Sequence, residues 1–401
     1  MAFYLIGYSI IFFIIALVIF IELVAHRIIY KDNAVMQRIF GHPLLRYSLR
    51  RVGSSLITIL LAVIATFFLI RAGYASEMDT LCHQTQFGGV PISKLPPQLV
   101  EDVCVRFEKD MGFAGSPFEQ LGFFLYSILP FPKTLCTTSF TLDSATGEYL
   151  MHVQDCRFFI MDLGKIFNTS VSGDQKEVYV IDFVFQKMAI SFPVGILAVL
   201  VDLGLGYPLG LWMAKHKDGI PDKLGNAYII TVGSIPGVAY YYILLAVFVG
   251  IFSLPSVYNA SDPLSYIAPV LTLGLAGLTG TALWVRRYMV DEFNSDYVKF
   301  ARAKGLSENR IMGVHVMRNA IVPLIRSIPA SVLFALLGSF FVEKIYNIQG
   351  IGNLLINANA SKEFFAIQGV VIIEAFIAVI AYLLGDIVTA VADPRISLSK
   401  E

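Results

Sequence analysis

Seven stretches of this chain are long and apolar enough to cross a membrane. They run over roughly 2–24, 53–71, 190–213, 226–252, 265–285, 327–344 and 368–391. About 20 residues at a rise of 1.5 Å cross the hydrocarbon core of a bilayer, so each stretch has the length of a spanning helix. The stretch 265–285 is rich in Gly and Thr, and small residues let membrane helices approach closely. Of the 401 residues, 56% are hydrophobic and 15% charged, which excludes an ordinary soluble domain of this size. The formal net charge is zero, so net charge points to no nucleic-acid partner, and where the charges sit is more informative. The expected fold class is an all-α polytopic membrane protein with about seven transmembrane helices.

Charge placement orients the spans. The segment 25–51 carries Arg27, Lys31, Arg38, Arg46, Arg50 and Arg51, and the short loop 214–225 carries Lys215, Lys217 and Lys223. Eight Lys and Arg fall in 286–326, and none in 253–264. The positive-inside rule then puts 25–51, 214–225, 286–326 and the C-terminus in the cytoplasm, with the sides alternating across all seven spans. In the first span the positive charges follow the apolar run, and no small-residue cleavage site is evident. It reads as a retained anchor and not a signal peptide.

The segment 72–189 falls on the outside and is long enough for a small folded domain. Its prolines and its alternating run Glu177 to Asp182 suggest an inserted extracellular domain of mixed α/β character. Asp and Glu outnumber Lys and Arg there by 14 to 8. All four cysteines of the chain lie in it: Cys82, Cys104, Cys136 and Cys156. An even number confined to an outward segment fits two disulfides, with three pairings open. No CxxC pair and no ligand-like histidine spacing is present, so no metal site is expected.

The loop between the fifth and sixth spans, 291–325, is too long to be a bare connector. Phe293, Tyr297, Phe300, Ala301 and Lys304 recur at helical spacing and should share one face. Asp296 suits the positive start of a helix, and Gly305 suits the left-handed residue that ends one. Ser307, followed by Glu308, can cap a second helix. The sequence therefore predicts two short helices joined at Gly305.

These residues carry a resemblance. Ala301-Arg302-Ala303-Lys304-Gly305-Leu306-Ser307 resembles the EAA signature of binding-protein-dependent ABC importer permeases. Asp296-Tyr297-Val298 and Arg318-Asn319-Ala320-Ile321-Val322-Pro323 resemble its oligopeptide and dipeptide branch. Arg46 to Arg51, Glu343 to Leu355, and Asp386 with Ala392 to Ile396 resemble other segments of that branch, in the same order. The resemblance covers about 46–73 and 190–397. It makes 1–25 an additional N-terminal anchor, 26–71 a cytoplasmic segment and first family helix, and 190–397 the permease core.

The resemblance implies a transport subunit and no catalysis of its own. Its ATPase-coupling residues would be Asp296, Tyr297, Ala301, Arg302, Ala303, Lys304, Gly305 and Leu306. ATP and Mg would sit on two separate cytoplasmic ATPase subunits, since no GxxxxGK[ST] phosphate loop occurs in the chain. A second related permease subunit and an extracellular substrate-binding protein would complete the machine in a bacterial cell membrane. Oligopeptides or dipeptides are the expected cargo, with nickel or a sugar as the alternative. A seven-span receptor would leave the loop 291–325 unexplained.

Within the spans, Asp202 and Glu374 are ionisable groups in an unfavourable place. Such groups line a pathway or pair with a polar partner. Asp386 fits the family pattern as a structural residue. The histidines are scattered, and no nucleophile–base pair or catalytic residue is expected.

Overall fold

The computed structural model describes residues 43–74, scattered positions between 82 and 108, most of 113–172, and 178–392 without a break. The expected first span and the C-terminal segment 393–401 lie outside the described residues. The chain separates into two compact units. One comprises 1–39, 57–184 and 357–373, and the other 40–56, 185–356 and 374–401.

Helix α1 runs Pro43–Tyr74 and contains the expected second span. In the first unit its Phe67 is 1% exposed and stacks on Phe124, with ring centroids 5.2 Å apart. Phe124 belongs to helix α2, Pro117–Ile128, which starts with a capping box between Ser116 and Glu119. The Arg71 guanidinium lies 3.3 Å from the centroid of Phe113, whose ring meets Phe364 edge-on at 4.9 Å. This aromatic cluster forms part of the packing of the first unit.

The segment 72–189 supplies six strands in antiparallel pairs among the described residues. Strands β1 Gln86–Phe87 and β2 Val90–Pro91 form one pair. Strands β3 Lys133–Leu142 and β4 Tyr149–Phe159 form a long hairpin, with an irregularity at Thr137/Thr138. Strands β5 Lys165–Ile166 and β6 Val178–Tyr179 form the third. The strand expected over Glu177–Asp182 is only β6, because helix begins at Val180.

Cys82 and Cys104 are disulfide-bonded. The backbone register of the hairpin sets Cys136 opposite Cys156. Peptide mapping without reductant is expected to recover a Cys82–Cys104 linked pair. Its absence would contradict the fold of this segment.

The second unit holds most of the apolar helices. Helix α3, Val180–Lys215, is 36 residues long and begins ten residues before the expected span. Helix α6, Leu264–Phe293, has 30 residues. That is about 45 Å, so it outruns a hydrocarbon core of about 30 Å and ends as a stalk. The two helices meet through glycines, as close packing in lipid requires. A Cβ at Gly210 would sit 2.7 Å from the Ala282 carbonyl oxygen, and one at Gly274 2.7 Å from the Val201 Cβ.

Two expected spans are not straight. The stretch 226–252 divides into α4, Ile220–Ser234, and α5, Gly237–Gly250, bent by 112°. Pro236 stands at the corner, where it cannot donate a backbone hydrogen bond. The sixth span also breaks, at Gly338, and is described below. Among the described residues, four helices are long and apolar enough to cross a membrane, or five if α4 and α5 count as one.

Candidate functional site: the loop after helix α6

Helix α6 ends at Phe293, and Ser295 turns the chain into helix α7, Asp296–Ala303. The α7 helix is seated by Val298 and Ala301, which are 0% and 7% exposed. Beneath them lie Val285 and Met289 of the stalk, with Ile311, Val316 and Ala320 of the following segment. Burying these aliphatic groups fixes the helix on the stalk, at about 1.5–3 kcal/mol per large side chain. Spacing alone had put Phe300 and Lys304 on the same face as Ala301. The structure corrects this: Phe300 is 61% exposed, and Lys304 Nζ lies 4.5 Å from its ring centroid. Val298, three residues before Ala301, is the anchor that this periodicity missed.

The end of α7 is closed by two bonds. Leu306 N–H donates to the Ala301 carbonyl (3.3 Å) and Gly305 N–H to the Arg302 carbonyl (2.9 Å). These are the paired bonds of a Schellman end, with Gly305 at φ +79° in the left-handed position. Leu306 then packs on the same apolar cluster as Ala301.

Side chains brace the turn. Arg302 Nε donates to Glu308 Oε1 at 2.6 Å across Gly305. The Arg302 hydrogen bond holds the Glu308 carboxyl below its ordinary value, and Glu308 in turn raises Arg302. Lys299 Nζ donates to Asp296 Oδ1 at 2.8 Å and holds that carboxyl low. Tyr297 donates its hydroxyl to Glu292 Oε2 at 2.6 Å. Burial first, then that carboxylate acceptor, raises the Tyr297 hydroxyl. Ser307 occupies the N-cap position of the next turn, Glu308–Arg310, but its side chain makes no cap bond. Glu308 is committed to Arg302 instead.

A π-helical stretch, Ile311–Val316, follows, and then helix α8, Met317–Ile325. The wider i→i+5 winding brings residues five apart toward one side. Ile311 and Val316 are both 0% exposed and share the bed under α7. No sequence signal marked this stretch. Arg326, just beyond α8, pairs with Asp386 of helix α12, Phe364–Ala392, at 2.9 Å.

Of the coupling residues read from the sequence, Asp296, Arg302, Ala303, Lys304 and Gly305 are exposed. Tyr297 and Leu306 are half-buried and Ala301 buried, so these three seat the helix. Asp202 lies elsewhere, on α3, where it hydrogen-bonds Thr281 of α6 and packs against Gly277. Glu374 is on α12, with Oε1 buried and without a hydrogen-bond partner among the described residues. No hydrogen bond or ion pair joins Asp202 to Glu374 among the described residues. No group of three or more metal-ligating side chains occurs among the described residues either.

The arrangement defines a class: a multi-pass membrane protein with a two-turn helix packed on a stalk beyond its spans. Residues 206–398 match the family described as binding-protein-dependent transport system inner membrane component, and the chain belongs to that family. It is 35% identical over 224 residues to the oligopeptide transport system permease protein AmiC of Streptococcus pneumoniae. That match covers 55% of this chain and 45% of AmiC, so the chain spans less than half the length of that relative. It is 31% identical over 248 residues to the glutathione transport system permease protein GsiC of Salmonella paratyphi A, covering 61% and 79% of the two chains. It is 30% identical over 219 residues to the dipeptide transport system permease protein DppB of Lactococcus lactis, covering 55% and 72%.

Proposed function

We propose that this chain is the permease subunit of an ATP-driven importer of oligopeptides or dipeptides. The observation that carries it is α7: buried on one side by Val298 and Ala301, it shows an exposed aromatic ring, Phe300, on the other. An exposed Phe on a braced helix, in a chain of this family, suits a groove on a partner. The partner is a cytoplasmic ATPase, two copies of which carry ATP and Mg. Exposed Asp296, Lys299 and Lys304 form a polar rim beside Phe300, with the small residues Ala303 and Gly305 leaving room for the partner. Closure of the ATPases pulls α7, and the stalk of α6 passes that motion to the spans.

A second related permease and an extracellular binding protein complete the assembly, and the Lys and Arg placement supports a cytoplasmic C-terminus. The peptide-transport relatives favour peptides over nickel or a sugar. Asp202 and Glu374 are the candidate polar points on the translocation path.

Purification of the chain together with its genomic neighbours tests the reading. An ATPase is expected to remain bound to the wild type. Phe300→Glu is expected to reduce the retained ATPase about tenfold or more, because it removes a central aromatic anchor. The thermal stability of the chain itself should hardly change, since the side chain is exposed. If no ATPase accompanies the wild type, the proposal fails.

A further inference from the structure

The sixth span, Pro323–Ile345, is long and apolar enough to cross, but its helix is interrupted within it. Helix α9, Ser327–Phe334, runs into a 3-10 turn at Ala335–Leu337. The chain then passes through Gly338 at φ 63° and ψ −162°, and resumes as helix α10, Phe340–Ile345. Helix α11, Ile351–Ala360, starts after five intervening residues. Breaks of this kind leave free N–H groups that hydrocarbon cannot satisfy.

Two side chains satisfy them. Ser191 Oγ on α3 accepts the Ile351 N–H at 2.9 Å. Glu343 Oε2 accepts the Asn353 N–H at 3.0 Å, and the same carboxylate accepts from the backbone of Gly352 and Ser339. Ser191 donates its own proton to Glu343 Oε1 at 2.6 Å. The first three N–H groups of α11 are thus all taken, and Glu343 is only 3% exposed. The knot leaves no space: a Cβ at Gly350 would lie 2.6 Å from Glu343 Oε2, and one at Gly338 would collide with Oε1. This knot lies within the Glu343 to Leu355 stretch that the sequence singled out.

We propose that Ser191 and Glu343 are positioning residues of the translocation pathway. They lock the broken end of the sixth span and the start of α11 onto α3, so that these three parts move together. The inference rests on the transporter reading above, because a broken helix in a transporter marks the region the cargo passes.

Hydrogen exchange of the complete transporter, with its ATPase bound, tests the placement. Ser191→Ala and Glu343→Gln are expected to speed exchange at Ile351, Gly352 and Asn353 about tenfold or more, since each leaves buried donors unpaired. Exchange in 296–316 should stay unchanged, and Ser191→Thr, which keeps the oxygen, should exchange more slowly than Ser191→Ala. Uptake of radiolabelled tri-alanine tests the role. Maximal uptake per retained ATPase should fall about tenfold, while the half-saturating concentration moves less than about twofold. Unchanged exchange overturns the proposal, and so does faster exchange with undiminished maximal uptake. A wild type that holds its ATPase but takes up no tri-alanine overturns the peptide reading instead, and exchange alone then decides the placement.

Discussion

Replacing Gly305 with proline is expected to strip the ATPase from the purified complex and abolish ATP-driven uptake. Gly305 sits at φ +79°, and a proline ring fixes φ near −65°. The substitution also removes the N–H that donates to the Arg302 carbonyl at 2.9 Å. The two losses together cost about 3 kcal/mol or more, enough to shift a local equilibrium by more than about a hundredfold. The damage spreads through Leu306, whose N–H closes the turn onto Ala301 and whose side chain packs on the shared cluster. Alanine should be milder, because no atom lies within 4 Å of a Cβ at this position. Its penalty is only the left-handed backbone, about 1–2 kcal/mol. Asparagine tolerates that region better still. Retained ATPase should therefore fall in the order Gly, Asn, Ala, Pro. A proline variant that keeps its ATPase at the wild-type level would show that the end of α7 is not the docking element.

The turn at Gly305 was legible because it rests on local chemistry: a Gly needed at one backbone angle, with small residues before it. The face of α7 was not. Periodicity places Phe300 and Ala301 about 100° apart on the helix, and only the stalk decides which of them is covered. Val298 is buried because Met289, Ile311 and Val316 happen to meet there, and those contacts are distant in sequence. The π stretch is invisible for the same reason. The bend at Pro236 and the helix break at Gly338 were hidden by apolar composition, which reports whether a stretch suits lipid and not whether its helix is continuous. Ser191 carried no signal at all, since one hydroxyl in an apolar run looks incidental until a helix start needs it. That 72–189 carries a disulfide was readable from cysteine placement, whereas the pairing of Cys82 with Cys104 needed the fold.

Breaking the ion pair between Asp222 and Arg286 is expected to destabilise the second unit strongly, and removing both charges less so. The sequence treats Arg286 as one more positive charge on the inner side. In the structure it is a strut. Its Nη2 donates to Asp222 Oδ2 at 2.7 Å, and its Nε donates to Oδ1. Asp222 is 2% exposed and also accepts from the Asp218 backbone and from Asn226 Nδ2, both at 2.9 Å. The pair ties the first turn of α4 to the stalk that carries α7. Removing Arg286 leaves a buried carboxylate without its cation, a loss of about 3–5 kcal/mol for a fully buried pair and less here, because the Arg286 side chain is 21% exposed. Arg286→Lys should fall between, since one ammonium cannot reproduce two parallel bonds. Asp222→Leu with Arg286→Leu should recover part of the loss, because no unpaired charge remains. The reversed pair, Asp222→Arg with Arg286→Asp, should not recover it. The Asp218 N–H, the Asn226 amide and the start of α4 all favour an anion at position 222. Folded fraction after heating in detergent, compared across the wild type, Asp222→Leu, Arg286→Leu and the double Leu variant in a double-mutant cycle, measures the coupling. A loss in the double variant equal to the sum of the two single losses would mean that the pair is uncoupled and not a strut. ATP hydrolysis in the same preparations shows whether loosening the stalk uncouples α7 from the spans, since Asp222 and Arg286 do not touch the proposed docking face themselves.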